Sequence, residues 1–192
     1  MNAEHIGRCH ERRNRRGAIG EHMWVVGIGL GANLGAREKT LQSAVDALAR
    51  TPSITVRAAS PIYETEPLGP PQPTYLNAAV RVETTLEPDA LLDVLLAIES
   101  AHGRIRRERW GARTLDLDVL VVCDPESFDP RTITTPRLTV PHPHLLERTF
   151  ALAPLLDVLP ELAPRWGTTL RALGGPPVRA QGSQSIVVPE RH

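Results

Sequence analysis

The order of hydrophobic and polar positions along the chain predicts strands and helices in succession. Residues 24–30 form a short apolar run rich in Val and Ile, which is typical of a strand. Residues 36–50 carry leucine and valine at helical spacing, and Pro52 ends that helix. Residues 54–58 predict a second strand, whereas residues 60–74 contain five prolines and predict a long loop. A loop of this length inside a compact domain is usually functional.

The second half of the chain continues the pattern. In residues 75–83 apolar and polar positions alternate, which predicts a strand with Tyr75 and Asn77 on the same face. Residues 88–103 predict an amphipathic helix, and residues 145–158 predict another. Strands and helices mixed at these spacings predict an α+β sandwich with helices packed on one face of the sheet.

The length of 192 residues suits one domain with its own core. We expect that domain to span residues 23–173, between flexible tails at 1–22 and 174–192. The first tail is polar and lacks the apolar stretch of a secretory signal. Because Met23 directly precedes the first strand pattern, an over-extended start site is an alternative explanation for it.

Composition and charge narrow the class of protein. The formal net charge is zero, whereas bulk nucleic-acid binding usually leaves a basic excess. No apolar run approaches the ~18 residues that a membrane span needs. The two cysteines, Cys9 and Cys123, form no CxxC motif, so we expect a cytoplasmic protein. From the charge and the apolar runs, we expect it to bind neither nucleic acid nor membrane. The sequence leaves the oligomeric state open, and we expect a monomer.

Two aspartates stand out in the strand predicted for residues 114–122. Side chains two residues apart in a strand share a face, and two adjacent carboxylates repel unless a cation neutralises them. Mg²⁺ takes one or two carboxylates and completes its shell with water and nucleotide phosphates. In isolation, two ordinary aspartates at an exposed strand end are the commoner explanation. The alternation predicts one face with Leu115, Leu117, Val119 and Val121, and the other with Asp116, Asp118, Leu120 and Val122.

The segment just upstream of the pair changes that balance. It holds more arginines than acids, and guanidinium groups beside a carboxylate pair suit a site for a metal and a triphosphate. Trp110 offers either a flat surface for a base or an anchor in the core. The arginines of the segment are Arg104, Arg106, Arg107, Arg109 and Arg113.

Histidines and glycines are the remaining candidates. His142 and His144 alternate in an extended segment, but no third metal ligand is evident. Hydrogen bonding to a phosphate or ribose is more plausible for His142, and ordinary loop polarity for His144. The glycines of residues 27–35 match neither GxGxxG nor a P-loop, so we interpret them as strand and turn geometry near a site wall.

Several segments together resemble one known family. The sequence RWGARTLDLD at 109–118 resembles the signature of the 6-hydroxymethyl-7,8-dihydropterin pyrophosphokinase family, an enzyme of folate biosynthesis. Further blocks similar to the family occur in its order, and the whole set covers roughly residues 24–165. These blocks are GLGANLG at 29–35, SPIYETEPLGP at 60–70, YLNAAV at 75–80, RLTVPH at 137–142 and RTF at 148–150.

The resemblance implies a fold and a reaction. We expect a single-domain α+β sandwich with a ferredoxin-like antiparallel sheet. The family transfers pyrophosphate from MgATP to the hydroxymethyl group of the reduced pterin, releases AMP, and uses two Mg²⁺ ions. Transfer of this type depends mainly on in-line positioning and charge neutralisation.

The resemblance also implies roles for individual residues. Asp116 and Asp118 would bind both metal ions, and Arg104 and Arg113 would join them as catalytic groups. Trp110 would help to close the loop that carries it. The residues implied on the ATP side are Glu99, Arg106, Trp110, Arg113, Arg137, Thr139, His142 and Arg148. Those implied on the pterin side are Thr65, Pro67, Leu68, Tyr75, Asn77 and Phe150, with Tyr75 and Phe150 on either side of the ring.

Two positions depart from the family pattern, and two other functions compete. Ala112 stands where proline is common, and Pro143 stands where some members have tyrosine. One alternative is a magnesium-dependent nucleotidyl- or phosphotransferase acting on another heterocyclic alcohol. The other is a nucleotide-binding protein without catalysis, although such a protein would not need both Asp116 and Asp118.

Overall fold

The computed structural model describes residues 22–67, 71–103, 113–182 and 185–190. Its strands are β1 (Trp24–Ala32), β2 (Ile54–Ala59), β3 (Tyr63–Thr65), β4 (Tyr75–Thr84), β5 (Asp116–Cys123), β6 (Ile133–Thr134) and β7 (Thr139–Val140). Its α-helices are α1 (Arg37–Arg50), α2 (Pro88–Ala101), α3 (Thr149–Val158) and α4 (Ala163–Ala172). Two short 3₁₀ helices, Leu145–Glu147 and Pro160–Leu162, flank α3.

The main sheet is antiparallel and confirms the predicted α+β fold. Its strands run in the order β2-β4-β1-β5, and β3 also pairs with β4. Without β3, the order along the chain is β-α-β-β-α-β, which is the ferredoxin-like arrangement. The strand β3 lies inside the segment predicted as a long loop. The sequence did not predict it because β3 has no strand pattern of its own and forms by pairing with β4.

Helices pack on both faces of the sheet, so the expectation of one covered face was wrong. On one face, α1 and α2 bury alternate residues of β1 and β4, such as Ile28 and Val80. On the other face, α3 and α4 pack over Val25, Ala79 and Val121. The second layer forms because the strands also carry small or apolar residues at the intervening positions.

A β-bulge interrupts β5 and overturns part of the predicted alternation. Val119 pairs with Ile28 and Val121 pairs with Gly27, so Leu120 is the extra residue. Leu120 and Val121 consequently lie on the same face, and Val122 lies with the α1–α2 core. The predicted alternation placed Val121 with Leu117 and Val119, and Val122 with the aspartates, so each of the two valines lies on the face opposite to the predicted one.

Residues 145–158 form a 3₁₀ turn followed by α3 rather than one helix. The break falls at Arg148, whose backbone is extended (φ −124°, ψ 103°). A residue in that conformation cannot continue a helix. Arg148 therefore stands at the start of α3, immediately before the helix that carries Phe150.

The described part of the carboxy-terminal segment lies against the domain. Glu64 donates its backbone N–H to the carbonyl of Val178 at 3.0 Å, so this segment pairs with the outer edge of β3. Farther along, Ile186 is buried in the α1–α2 core, and Val187 exchanges two hydrogen bonds with Gln42 of α1. The division into a domain at 23–173 and two tails stays a prediction. Among the described helices, none is both long and apolar enough to span a membrane.

Candidate active site

A cleft of about 410 Å³ opens where β1, β4 and β5 meet the start of α3. Gly31 pairs with Asn77 of β4 on one side and with Asp116 of β5 on the other. Since Gly31 has no side chain, the two polar groups reach the cleft floor from both sides of it. The residues lining the cleft are Gly29, Leu30, Gly31, Thr65, Glu66, Tyr75, Asn77, Ala78, Arg113, Asp116, Asp118, Leu120, His142, His144, Arg148, Phe150 and Ala151.

The two predicted metal-binding aspartates lie together at the start of β5. Asp116 and Asp118 both line the cleft, opposite Gly31 and Gly29 of β1. Within the described ranges, no group of three or more His, Cys, Asp and Glu side chains could hold a metal ion. A pair of carboxylates nevertheless fits Mg²⁺, which keeps several water ligands and completes its shell with substrate phosphates.

Arg113 lies beside the aspartates, where it can neutralise them or bind a phosphate. Its guanidinium donates to Asp116 and forms an ion pair with it. Partial burial opposes the charge on Arg113, but the charge and hydrogen bond of Asp116, together with the charges of Tyr75 and Asp118, outweigh that effect and raise the pKa of the guanidinium. Arg113 is therefore a permanent cation at the cleft wall.

Glu99 supports β5 from below instead of lining the cleft. It lies on α2 with 2% of its surface exposed, and its carboxylate accepts the backbone N–H of Leu117 at 2.7 Å. Leu117 is the residue between the two aspartates, so this bond fixes the piece of backbone that carries them. Direct contact of Glu99 with ATP stays a prediction.

The predicted pterin-side residues converge from three elements. Asn77 donates its side-chain amide to the Thr65 hydroxyl at 2.8 Å, which joins β4 to β3. Tyr75 lies on the same face of β4 as Asn77, as the alternation predicted, and Phe150 enters the cleft from α3. Pro67 is described but does not line the cleft, and Leu68 lies outside the described residues.

Only some of the predicted nucleotide-side residues reach the cleft. His142 and Arg148 line it, and Arg148 lies over the Phe150 ring with 5.8 Å to its centroid. Arg137 is exposed and forms an ion pair with Asp93 of α2. Thr139 is exposed on β7, away from the lining residues. Arg104, Arg106 and Trp110 lie in residues that the structure does not describe.

One backbone hydrogen bond to the His142 ring favours a single tautomer. The backbone N–H of His142 donates to the carbonyl of Leu120 at 2.8 Å, which fixes the main chain, and the ring Nδ1 accepts the backbone N–H of His144 at 3.2 Å. A neutral ring that accepts at Nδ1 carries its proton on Nε2. Burial, with the positive charge of Arg148, lowers the pKa of His142, so the neutral ring predominates at pH 7.

Comparison with known proteins identifies the family. The model of the family 7,8-dihydro-6-hydroxymethylpterin-pyrophosphokinase (HPPK) matches residues 27–160. The chain belongs to the HPPK family. This confirms the resemblance noted from the sequence.

Several curated relatives carry the name 2-amino-4-hydroxy-6-hydroxymethyldihydropteridine pyrophosphokinase. One from Synechocystis sp. is 43% identical over 144 residues, which cover 74% of this chain and 71% of the relative. One from Pseudomonas aeruginosa is 44% identical, covering 70% and 80%. One from Bacillus subtilis is 45% identical, covering 68% and 75%.

Among solved structures, the chain is similar to Plasmodium falciparum HPPK-DHPS, wild type with SDX-DHP. That similarity has a TM-score of 0.49 at 15% sequence identity. It covers 72% of this chain but only 40% of the longer Plasmodium chain.

Sequence reasoning missed several residues that the structure places at or near the cleft. Glu66 and Leu120 line it, and so does His144, for which we had favoured ordinary loop polarity. Asn33 does not line the cleft but is buried beside it and joins its segments. Asn33 lies in the GLGANLG block at 29–35 that resembles the family, but its place in a turn, where asparagine is common for local reasons, gave no sign of these partners.

Proposed function

We propose that the chain transfers pyrophosphate from MgATP to the hydroxymethyl group of 6-hydroxymethyl-7,8-dihydropterin and releases AMP, a step of folate biosynthesis. The observation that carries this proposal is that one cleft holds two chemically different halves. Asp116, Asp118 and Arg113 form a half suited to a metal and phosphates, and Tyr75 with Asn77 forms a half suited to a flat heteroaromatic ring. The curated relatives, at 43–45% identity, are named for this activity.

The phosphate half provides charge neutralisation and alignment. Asp116 and Asp118 would hold Mg²⁺, which supplies Lewis-acid polarisation of the phosphates and masks their charge when bound. Arg113, ion-paired with Asp116, can turn one or more of its N–H groups toward a phosphate oxygen. His142 offers its Nε2–H as a neutral donor at the same wall. In-line transfer then requires little further chemistry from the protein.

The pterin half selects and orients the acceptor. Asn77 uses its Nδ2 on Thr65, so its Oδ1 is the atom that faces the space over Gly31 and can accept an N–H of the ring. The Thr65 hydroxyl accepts from Asn77 and can donate its own hydrogen to a ring carbonyl. Phe150 and Tyr75 supply aromatic surfaces for stacking.

Further details belong to the same proposal. We infer two Mg²⁺ ions per active site, a monomeric enzyme located in the cytoplasm, and a catalytic domain at residues 23–173. The resemblance of residues 109–118 to the family signature supports the two ions, and the paired carboxylates are compatible with them. Arg104, Arg106 and Trp110 would complete the ATP side together with Glu99, Arg137 and Thr139.

The test is a product assay with purified full-length protein. Incubation with MgATP and the pterin should give AMP and the pterin diphosphate in equal amounts, separated by ion-exchange chromatography and identified by phosphorus NMR. ADP or free pyrophosphate as the product would contradict the proposal. ATP binding without turnover at saturating Mg²⁺ would instead favour a nucleotide-binding protein.

Substitution of the aspartates tests the metal half of the site. Asp116→Asn and Asp118→Asn keep the side-chain shape but remove a charged ligand, so each should lower kcat by about 10²–10³-fold. Asp129→Asn is the matched control, because Asp129 pairs with Arg165 on the surface and does not line the cleft. Near-normal turnover of both cleft variants would place the metal elsewhere.

A further inference from the structure

Asn33 is a buried amide that joins three segments around the cleft. It follows the last residue of β1, and only 1% of its surface is exposed. Its Oδ1 accepts the backbone N–H of Arg113 at 2.7 Å, and its own backbone N–H donates to the Arg113 carbonyl at 3.1 Å. Its Nδ2 donates to Gln72 Oε1 at 3.0 Å and to the carbonyl of Pro73 at 3.2 Å. Both ends of the side-chain amide are therefore in use.

These contacts reach the two halves of the cleft from a single residue. Toward β5, Asn33 fixes the backbone of Arg113, whose side chain is ion-paired with Asp116. Toward β4, it fixes Gln72 and Pro73, which lead directly into Tyr75. The phosphate half and the pterin half consequently share one rigid connection.

The 71–74 segment is also held at its other end, at Thr74. Arg37, at the start of α1, donates to the Thr74 carbonyl at 2.7 Å and to the Thr74 hydroxyl at 2.8 Å. The hydroxyl of Thr74 in turn donates to Glu64 at 2.8 Å. Thr74 is thereby anchored to α1 and β3, and the Asn33 side chain adds the direct link between this segment and Arg113.

We propose that Asn33 is a positioning residue that sets Arg113 in register with the segment leading to Tyr75, so that phosphates and acceptor are aligned. This inference rests on the proposed function. Only a side chain of this length with one acceptor and two donors satisfies all three partners. Aspartate keeps the acceptor for Arg113 but turns an anionic oxygen toward the Pro73 carbonyl. Alanine removes all three side-chain contacts.

Kinetics of Asn33→Asp and Asn33→Ala test the inference. Misplacement of reacting groups by about 1 Å can cost about 10²-fold in rate. We therefore expect kcat to fall about 10- to 100-fold in both variants, with a smaller change in the KM for ATP. Thr84→Val is the matched control. Thr84 is also 1% exposed and its hydroxyl also accepts a backbone N–H, from Leu86, but it lies at the far end of β4.

Hydrogen exchange separates positioning from a loss of overall stability. The Arg113 amide should exchange faster in Asn33→Ala, which removes its acceptor, than in Thr84→Val, even where the melting temperatures of the two variants are equal. Gln72→Ala removes one of the three contacts, together with the 3.5 Å hydrogen bond that the Tyr75 hydroxyl donates to the same oxygen. It should give an intermediate loss of kcat, and Tyr75→Phe, which removes only the second bond, is its control. The inference therefore remains testable if the Asn33 variants fail to fold. This exchange is measured without substrates, and it therefore tests Asn33 even if wild-type protein releases no AMP, a result that would refute only the proposed function.

Three outcomes would overturn the inference. One is a kcat within twofold of wild type in a folded Asn33→Ala protein, or in Gln72→Ala if the former does not fold. The second is unchanged exchange of the Arg113 amide in Asn33→Ala. An equal loss of kcat in Thr84→Val would also overturn it, because a general loss of stability would then explain the effect.

Discussion

Replacing Gly31 by alanine should obstruct the cleft without unfolding the protein. A Cβ at this position would meet Asn77 Oδ1 at 3.4 Å, Asp116 Cβ at 3.8 Å and Tyr75 Cδ1 at 3.9 Å, which are ordinary van der Waals distances. Alanine also loses less backbone entropy on folding than glycine, which favours the folded strand by about 0.5–1 kcal/mol. The free energy of unfolding should therefore stay within about 1 kcal/mol of wild type.

The same methyl group would occupy the floor on which the pterin ring is proposed to lie. Inserting a methyl into a filled apolar space costs about 1–3 kcal/mol. At about 1.4 kcal/mol for each factor of ten, pterin binding should weaken about 5- to 150-fold. The KM for ATP should change less, because the methyl would lie nearest to Asn77 of the pterin half and would only reach van der Waals distance of the Asp116 Cβ.

Gly27 lies on the same strand and the same face of the sheet as Gly31, but we expect its replacement by alanine to have the opposite effect, on stability rather than on binding. Its Cβ would overlap Leu155 Cδ1 and approach Val121 Cγ1 at 3.1 Å and Leu159 Cδ1 at 3.2 Å. Gly27→Ala should therefore destabilise the fold by about 1–3 kcal/mol. At about 2–4 °C per kcal/mol, the melting temperature should fall by several degrees. The folded fraction should retain its activity.

The two variants are compared by thermal melts and by titration of each protein with the pterin, followed through fluorescence. If Gly31→Ala binds the pterin as tightly as wild type, the ring does not lie over Gly31 and the assignment of the pterin half is wrong. If Gly27→Ala melts with wild type while Gly31→Ala is destabilised, the packing of α3 on β1 has been misassigned.

Two further predictions concern His142 and Tyr63. Burial and Arg148 lower the pKa of His142 in the folded state, so the unfolded chain binds the proton more readily. The free energy of unfolding should therefore be unaffected by His142 above the unfolded pKa of ~6.5 and should decrease as the pH falls below it. Melts of the ligand-free protein from pH 7.5 to 5 should show a shallower loss for His142→Asn, and parallel curves would refute this cause. Tyr63 is buried and donates its hydroxyl to Asp157 at 2.6 Å, joining β3 to α3. Tyr63→Phe should lower stability by about 0.5–1.5 kcal/mol in urea denaturation, and an unchanged midpoint would show that the bond contributes nothing.

The sequence predicted those features of the site that depend on neighbouring residues. The alternation of β4 placed Tyr75 and Asn77 on one face, and the spacing of Asp116 and Asp118 placed both on one face of β5. The structure brings all four into one cleft. These predictions succeeded because the period of a strand is local and does not depend on what the strand packs against.

Features that depend on distant partners could not be predicted. The bulge at Leu120 exists only in the pairing of β5 with β1, and no pattern within β5 indicates it. Arg137 carries the same charge as Arg148, yet it pairs with Asp93 on the surface because α2 runs beside it. Asn33 showed the same limit, since its turn position suggests only local bonds while its partners lie 39 and 80 residues away.

The bulge in β5 lies between a half of the strand that lines the cleft and a half that is buried in the core. Before Leu120, outward side chains are acids that face solvent and ligand; after it, the same face carries Val121 and Cys123, which are sealed under α3. Leu120 itself lies under Gly29, with its side chain about 3.1 Å from where a Cβ of Gly29 would stand. The extra residue thus brings Val121 and Cys123, instead of Val122, onto the face that begins with the aspartate pair, so that water-exposed carboxylates and a dry core follow each other along one strand.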